Sequence, residues 1–312
     1  MSNVELRPLS LGELLDRAFA LYRRNFWLFF GIMVIPSCLI LPFQFYFLRA
    51  WGSPFPWGRA TEQKHLSPYA FAFLLVIWLV YLIVHGATTY GVSEVYFGRR
   101  SSIRGAYGRI RGRTWSLIGL FINVGIRVTS LMILMLIASV VVAVVVMIVV
   151  GGNGGAPGTF VMIVIFGIVL LGMGLAVWLS LRYAIAVPAM LLEDTEGLAA
   201  IRRSVQLSRG RRGPLFMAFL LTAVFSYAGV LIFQGPFYVA MAMMRITNEL
   251  PNWMALCLSV SGSIGGAVTG PLMMIVLVLW YYDLRIRKEG FDLQVLMTSL
   301  DEVKPPDSAS RV

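Results

Sequence analysis

Charge is scarce in this sequence. Only 13% of its 312 residues are Asp, Glu, Lys or Arg, against about 25% in an ordinary soluble domain. Hydrophobic residues make up 58%. Together these figures exclude a soluble globular protein. No polar stretch is long enough to build a separate soluble domain, and the longest is the tail after Gly290. Cysteine is nearly absent. Cys38 and Cys257 both lie in apolar runs, which excludes a disulfide framework or a thiolate metal site. There are two histidines, His65 and His85, and no His/Cys/carboxylate cluster has metal spacing. Phosphate-loop, serine-elbow and zincin patterns are also missing. No enzyme, metal or cofactor is therefore expected. A cleavable signal is not expected either, because the first apolar run is too long for one and has no small-residue cleavage site.

What is present is long apolar runs. About 20 apolar residues cross a bilayer as a helix. Six runs qualify, at about 26–48, 69–93, 116–150, 159–192, 214–244 and 253–282. The expected fold is an all-α integral membrane protein with a single six-helix domain over 1–292. The cytoplasmic tail, 293–312, reads as mostly disordered. Basic residues set the orientation. The N-terminus, 99–113, 182–212 and the C-terminus hold 21 of the 26 Lys and Arg, while the other side holds 4 and Arg127 lies within a run. Both termini are expected in the cytoplasm.

Residues 128–150 and 159–181 each give 23 uncharged positions, roughly 35 Å of helix. Arg127 and Arg182 should then reach one level, near the cytoplasmic headgroups. The apolar residues beyond them, 116–126 and 183–192, should be covered by protein. Glu94 falls at a similar depth and Asp283 ends the sixth run, so Glu94, Arg127, Arg182 and Asp283 form a candidate polar cluster. It reads either as a structural ion-pair network or as a substrate site.

Three basic segments interrupt the runs. In SSIRGAYGRIRGRTW, 101–115, Ile103, Ala106, Tyr107 and Ile110 share one helical face. Near the N-terminus, Ser10 and Glu13 have capping-box spacing, and Leu11, Leu14, Leu15, Ala18, Phe19 and Tyr22 form a stripe. The third segment is AAIRRSVQLSRGRRG, 199–213. Each reads as an amphipathic helix on the cytoplasmic membrane surface, preceding a hairpin of spans. Three hairpins in parallel orientation would result. Either an internal repeat or the shared needs of topology explains the likeness. Arg104, Arg109, Arg111, Arg202, Arg209 and Arg211 are the candidate contacts for anionic lipid headgroups. Nucleic acid is not an expected partner. Gly262, Gly266 and Gly270 are spaced G-x-x-x-G-x-x-x-G, which predicts a close helix contact. Trp51 and Trp57 read as interface anchors.

LRPLSLGELLDRAFALYRRNF (6–26), LLEDTEGLAAIRRSVQLSRGRR (191–212) and YYDLRIRKEGFD (281–292) resemble the bacterial glycerophosphoryl diester phosphodiesterase membrane-domain family and its six-span relatives. In named members of that family a soluble phosphodiesterase barrel is joined to this membrane region. This sequence ends about 20 residues after Gly290, so the resemblance implies a six-helix module in a bacterial cytoplasmic membrane and no hydrolase activity. The first expectation for function is a scaffold or accessory module that engages anionic lipids or partner proteins. The alternative is a transporter of a lipid or small amphiphile. A polar cavity between hairpins favours the transporter, and a closed bundle favours the scaffold.

Overall fold

Apolar runs with no acid or base to interrupt them become helices. A computed structural model describes residues 7–51, 68–151, 158–244 and 251–291, with Leu293 and Met297. The expectations for the Trp51 side chain, Trp57, His65, the 152–157 loop and most of the tail fall outside the described residues. Among the described residues there are ten α-helices and no strand: α1 Leu11–Arg24, α2 Phe26–Trp51, α3 Pro68–Tyr96, α4 Ile103–Ile110, α5 Thr114–Gly151, α6 Gly158–Tyr183, α7 Ala186–Leu192, α8 Gly197–Ser208, α9 Arg212–Met243 and α10 Asn252–Glu289. Six of them, α2, α3, α5, α6, α9 and α10, are long and apolar enough to cross a membrane. The protein is all-α with six candidate spans.

One candidate span, Met162–Leu192, is not a single helix. The run 159–192 is two helices, α6 and α7, broken at residues 184–185. Pro188 has no N–H to give the Ala184 carbonyl and its ring crowds that turn. A hydropathy window is blind to this, because the break is as apolar as its flanks.

The chain divides into two compact units. One takes in residues through Arg111 and again from Met217, and the other is Gly112–Phe216. In the first unit α10 packs on α2 and α3, α2 packs on α3, and α1 runs along α10. The Ser10 hydroxyl accepts from Glu13 N, and the Glu13 carboxylate accepts from Ser10 N, so the capping box forms. The Arg7 hydrogen bond does most to lower the Glu13 carboxyl from 4.5 to about 2. Leu14, Leu15 and Ala18 of α1 are buried, as are Ala106 and Ile110 of α4. Both stripes therefore face helices: α1 packs against α10 and α4 against α2 and α3. Periodicity found the faces and could not tell protein from lipid as the cover.

Two tyrosines make long-range contacts to span backbone, and a proline explains one of them. Pro36 leaves the Ile32 carbonyl without its helical donor. The Tyr107 hydroxyl of α4 donates to that carbonyl at 3.0 Å. In α10 the Tyr22 hydroxyl of α1 donates to Val268 O, one residue past the Ala267 carbonyl that Pro271 frees. Neighbouring helices commonly satisfy backbone groups that proline frees in a span. Burial pushes both phenols up to about 12, so they stay donors at neutral pH. Tyr107→Phe should cost about 1–3 kcal/mol by orphaning a buried carbonyl. Tyr227→Phe, at a tyrosine 67% exposed, should change stability by less than about 0.5 kcal/mol. Thermal unfolding in detergent checks the contrast.

In the second unit α5 packs on α6, and α8 lies on α5, α6 and α7. Leu117, Leu120 and residues 185–191 except Pro188 are buried apolar core, Pro188 being buried with them. Protein thus covers the apolar residues beyond Arg182. Beyond Arg127 it covers only one side of α5, where Leu117 and Leu120 are buried while Ile122 and Ile126 are 47% and 63% exposed, so the expected cover over 116–126 is corrected. Arg127 lies over the Tyr183 ring, 5.8 Å from its centroid, which places it beside the end of α6.

Candidate binding cavity

Four span helices of the first unit wall a cavity of about 390 Å³. Pro36 and Ser37 of α2 face it, with Tyr81 and His85 of α3, Gln234 of α9, and Ser259, Gly262, Ser263, Gly266 and Gly270 of α10. The size falls in the range of small-molecule sites. Among the described residues no acid, lysine or arginine lines it. Two of its hydroxyls are placed as acceptors. Ser37 Oγ donates to Met33 O at 2.9 Å, and Ser259 Oγ donates to Ala255 O at 2.8 Å. Those protons are spent inside their own helices, and oxygen lone pairs remain for a ligand. Gln234 Nε2 donates to Leu258 O at 3.4 Å, and Tyr238 Oη donates to Gln234 Oε1 at 3.5 Å. The second amide hydrogen of Gln234 is available as a donor. The chemistry on offer is neutral hydrogen bonding beside apolar wall from Met33, Ile40, Leu258 and Met274.

The glycine reading is corrected here. Gly262, Gly266 and Gly270 line the cavity. A Cβ on Gly266 would meet nothing within 4 Å, one on Gly262 would meet the flexible Gln234 side chain, and one on Gly270 would touch Met33 at 3.5 Å. The close helix contact lies elsewhere, at Gly265, where a Cβ would stand 3.1 Å from the Val230 Cα of α9. Four-residue spacing defines a face without saying what stands opposite. Here the missing side chain leaves room at Gly266, side chains of α9 and α2 face Gly262 and Gly270, and the close backbone approach is at the neighbouring Gly265.

The other candidate residues fall in separate places. Glu94 and Asp283 are in the first unit, Arg127 and Arg182 in the second. Glu94, Asp283 and Arg127 each have a partner of their own. Glu94 pairs with Arg109 of α4 and stands 3.7 Å from Arg99. Asp283 accepts from Leu9 N at 2.8 Å and pairs with Arg287 at 2.7 Å. Arg127 donates to Asn123 at 2.9 Å. The acids after α7 follow suit, Glu193 with Arg203 at 2.7 Å and Asp194 with Arg113 at 2.6 Å. These acids tie span ends to the basic segments, and the ion-pair reading accounts for them. Arg104, Arg109 and Arg111 belong to the first unit and Arg202, Arg209 and Arg211 to the second. All but Arg211 are exposed, and Arg211 is partly so.

Sequence reasoning missed Ser37, Tyr81, Gln234, Ser259 and Ser263 as a group. The available signal was a set of polar residues inside apolar runs, which in membrane proteins face protein or water. No family model matches the chain, and no curated protein or solved structure matches it.

Proposed function

We propose that the chain is a membrane protein that binds a small uncharged amphiphile in the cavity of its first unit and moves it within or across the bilayer. One observation carries the reading. The cavity is walled by four candidate spans and combines neutral polar groups with apolar surface, without a charge. A ligand with a hydroxyl or amide head and an apolar tail complements such a wall, and a charged head would be buried there without a counterion. The alternative of a scaffold engaging anionic lipids is supported by the exposed arginines on α4 and α8, and one chain can do both. The excess of basic residues at 99–113 and 182–212, with the family resemblance, supports a bacterial cytoplasmic membrane with both termini inside.

The probe for this reading is a medium-chain monoacylglycerol, monocaprin, titrated into detergent-purified protein. Saturable binding is expected. Decanoate, with the same chain and a charged head, should bind at least about tenfold more weakly, since an unpaired buried charge costs well over 1.4 kcal/mol. Gly266→Leu fills open space and should abolish monocaprin binding with little change in stability. Equal binding of monocaprin to wild type and Gly266→Leu would sink the proposal.

A further inference from the structure

Trp178 of α6 has two guanidinium groups against it. Arg212 lies 4.7 Å from its ring centroid and Arg182 lies 5.9 Å away. The Nε atoms of both arginines are buried and have no hydrogen-bond partner. Buried donors are nearly always satisfied, and two cations beside one ring repel each other unless an anion lies near. Arg209 and Gln206 complete a pocket of about 630 Å³ with them.

The local fold builds this pocket. The Ser204 and Ser208 hydroxyls of α8 both donate to the Arg182 carbonyl, at 2.9 and 3.5 Å, fixing α8 to the end of α6. Gly210 takes φ +81, a conformation that favours glycine. That turn carries the chain from Arg209 at the end of α8 to Arg212 at the start of α9. The second unit holds eight arginines and three acids. Two of those acids, Glu193 and Asp194, are held by Arg203 and Arg113. None of the three lines the pocket.

We infer that this pocket binds the phosphoryl headgroup of an anionic lipid. Guanidinium forks match phosphate oxygens in pairs. The second half of the argument lies along α6. Leu171, Leu175, Trp178 and Arg182 recur at helical spacing on one face. Leu171 is 60% exposed and Trp178 46%. An open apolar stripe thus leads to the arginines, as an acyl chain leads to its headgroup. Arg182 ends the uncharged run 159–181, the position at which headgroups are expected. This site is independent of the cavity described above. It lies in the other unit, and its chemistry is anionic where the cavity is neutral.

The test uses the full chain in dodecyl maltoside, titrated with soluble dihexanoyl phosphatidylglycerol, dihexanoyl phosphatidylcholine and inorganic phosphate. The phosphatidylglycerol should bind best. Arg182→Gln, Arg209→Gln and Arg212→Gln combined should weaken it by roughly 100-fold, since each charged hydrogen bond lost is worth about tenfold or more. The charge-matched triple Arg23→Gln, Arg24→Gln and Arg100→Gln, at exposed arginines outside the pocket and outside α4 and α8, should stay within about threefold of wild type, as screened charges do. Gly213→Asp is a second variant that retains every arginine. Space beside Gly213 is open, and an acid in the first turn of a helix is favourable. It should fold, occupy the pocket with its own carboxylate and abolish lipid binding. Unchanged binding by Gly213→Asp, or equal losses in the two triples, would overturn the inference. Inorganic phosphate binding as tightly as the lipid would also overturn it, by assigning the pocket to a free anion.

Discussion

Asp283→Ala is expected to be among the most destabilising single substitutions in the chain. The Asp283 side chain is 2% exposed. Its carboxylate accepts from Leu9 N at 2.8 Å and holds Arg287, whose guanidinium donates to Leu9 O at 2.6 Å. One acid and one arginine thereby clamp both backbone groups of Leu9, 274 residues away. Removing the acid leaves a buried N–H and a half-buried guanidinium unmatched. Breaking a buried pair in this way costs about 3–5 kcal/mol, and the partial exposure of Arg287 argues for the lower end. The thermal midpoint should fall by roughly 6–12 °C. Trypsin should also cut faster at Arg17 and Arg23 as α1 loosens. Asp194→Ala is the contrast. Asp194 also pairs with an arginine, yet its side chain is 75% exposed, and its loss should cost less than about 1 kcal/mol. Similar shifts for the two variants would show that the Leu9 clamp does not hold α1.

A second large difference is expected between adjacent glycines. Gly265→Leu drives a side chain against the Val230 Cα at 3.1 Å and the Phe233 ring at 3.3 Å. Backbone cannot step aside as a side-chain tip can, so α9 and α10 must separate. A cost of about 3 kcal/mol or more is expected, the upper range for overpacking. Gly266→Leu meets open space. Filling a cavity commonly adds about 0.5–2 kcal/mol. Both variants gain the same helix propensity, so that term cancels in the comparison. The pair should differ by roughly 10 °C in thermal midpoint. A fall at Gly266 as large as that at Gly265 would mean the cavity is closed by a packed helix.

Much of this architecture was legible in the sequence, and the failures have one origin. Long uncharged runs marked all six candidate spans, because a helix is the chain's way to satisfy its own backbone in apolar surroundings. The Ser10–Glu13 box and the stripes of Leu14, Leu15, Ala18, Ala106 and Ile110 were also readable, since caps and faces are local. What lies opposite a face is not local. The same stripe suits lipid or protein, so α4 was read as lying on a membrane where it packs on α2 and α3. The same spacing suits a tight contact or an open wall, so Gly262, Gly266 and Gly270 were read as contacts where they line a cavity. The break at 184–185 was hidden because nothing polar marks it. The cavity was hidden because its polar members, Ser37, Tyr81, His85, Gln234 and Ser259, come one or two at a time from four helices. The depth of Arg182 was readable, but Trp178, one turn before it in α6, looks like any aromatic of a span, and Arg212 reaches the site only because α8 folds back onto α6.

Native mass spectrometry of wild type and Gly266→Leu, each purified from its own membranes in mild detergent, tests the cavity reading most directly. The wild type is expected to carry a neutral small-molecule adduct that survives high salt, and Gly266→Leu is expected to lack it while remaining folded. The same adduct on both proteins, or a bare wild type beside a bare variant, would contradict the proposed binding of an uncharged amphiphile between α2, α3, α9 and α10.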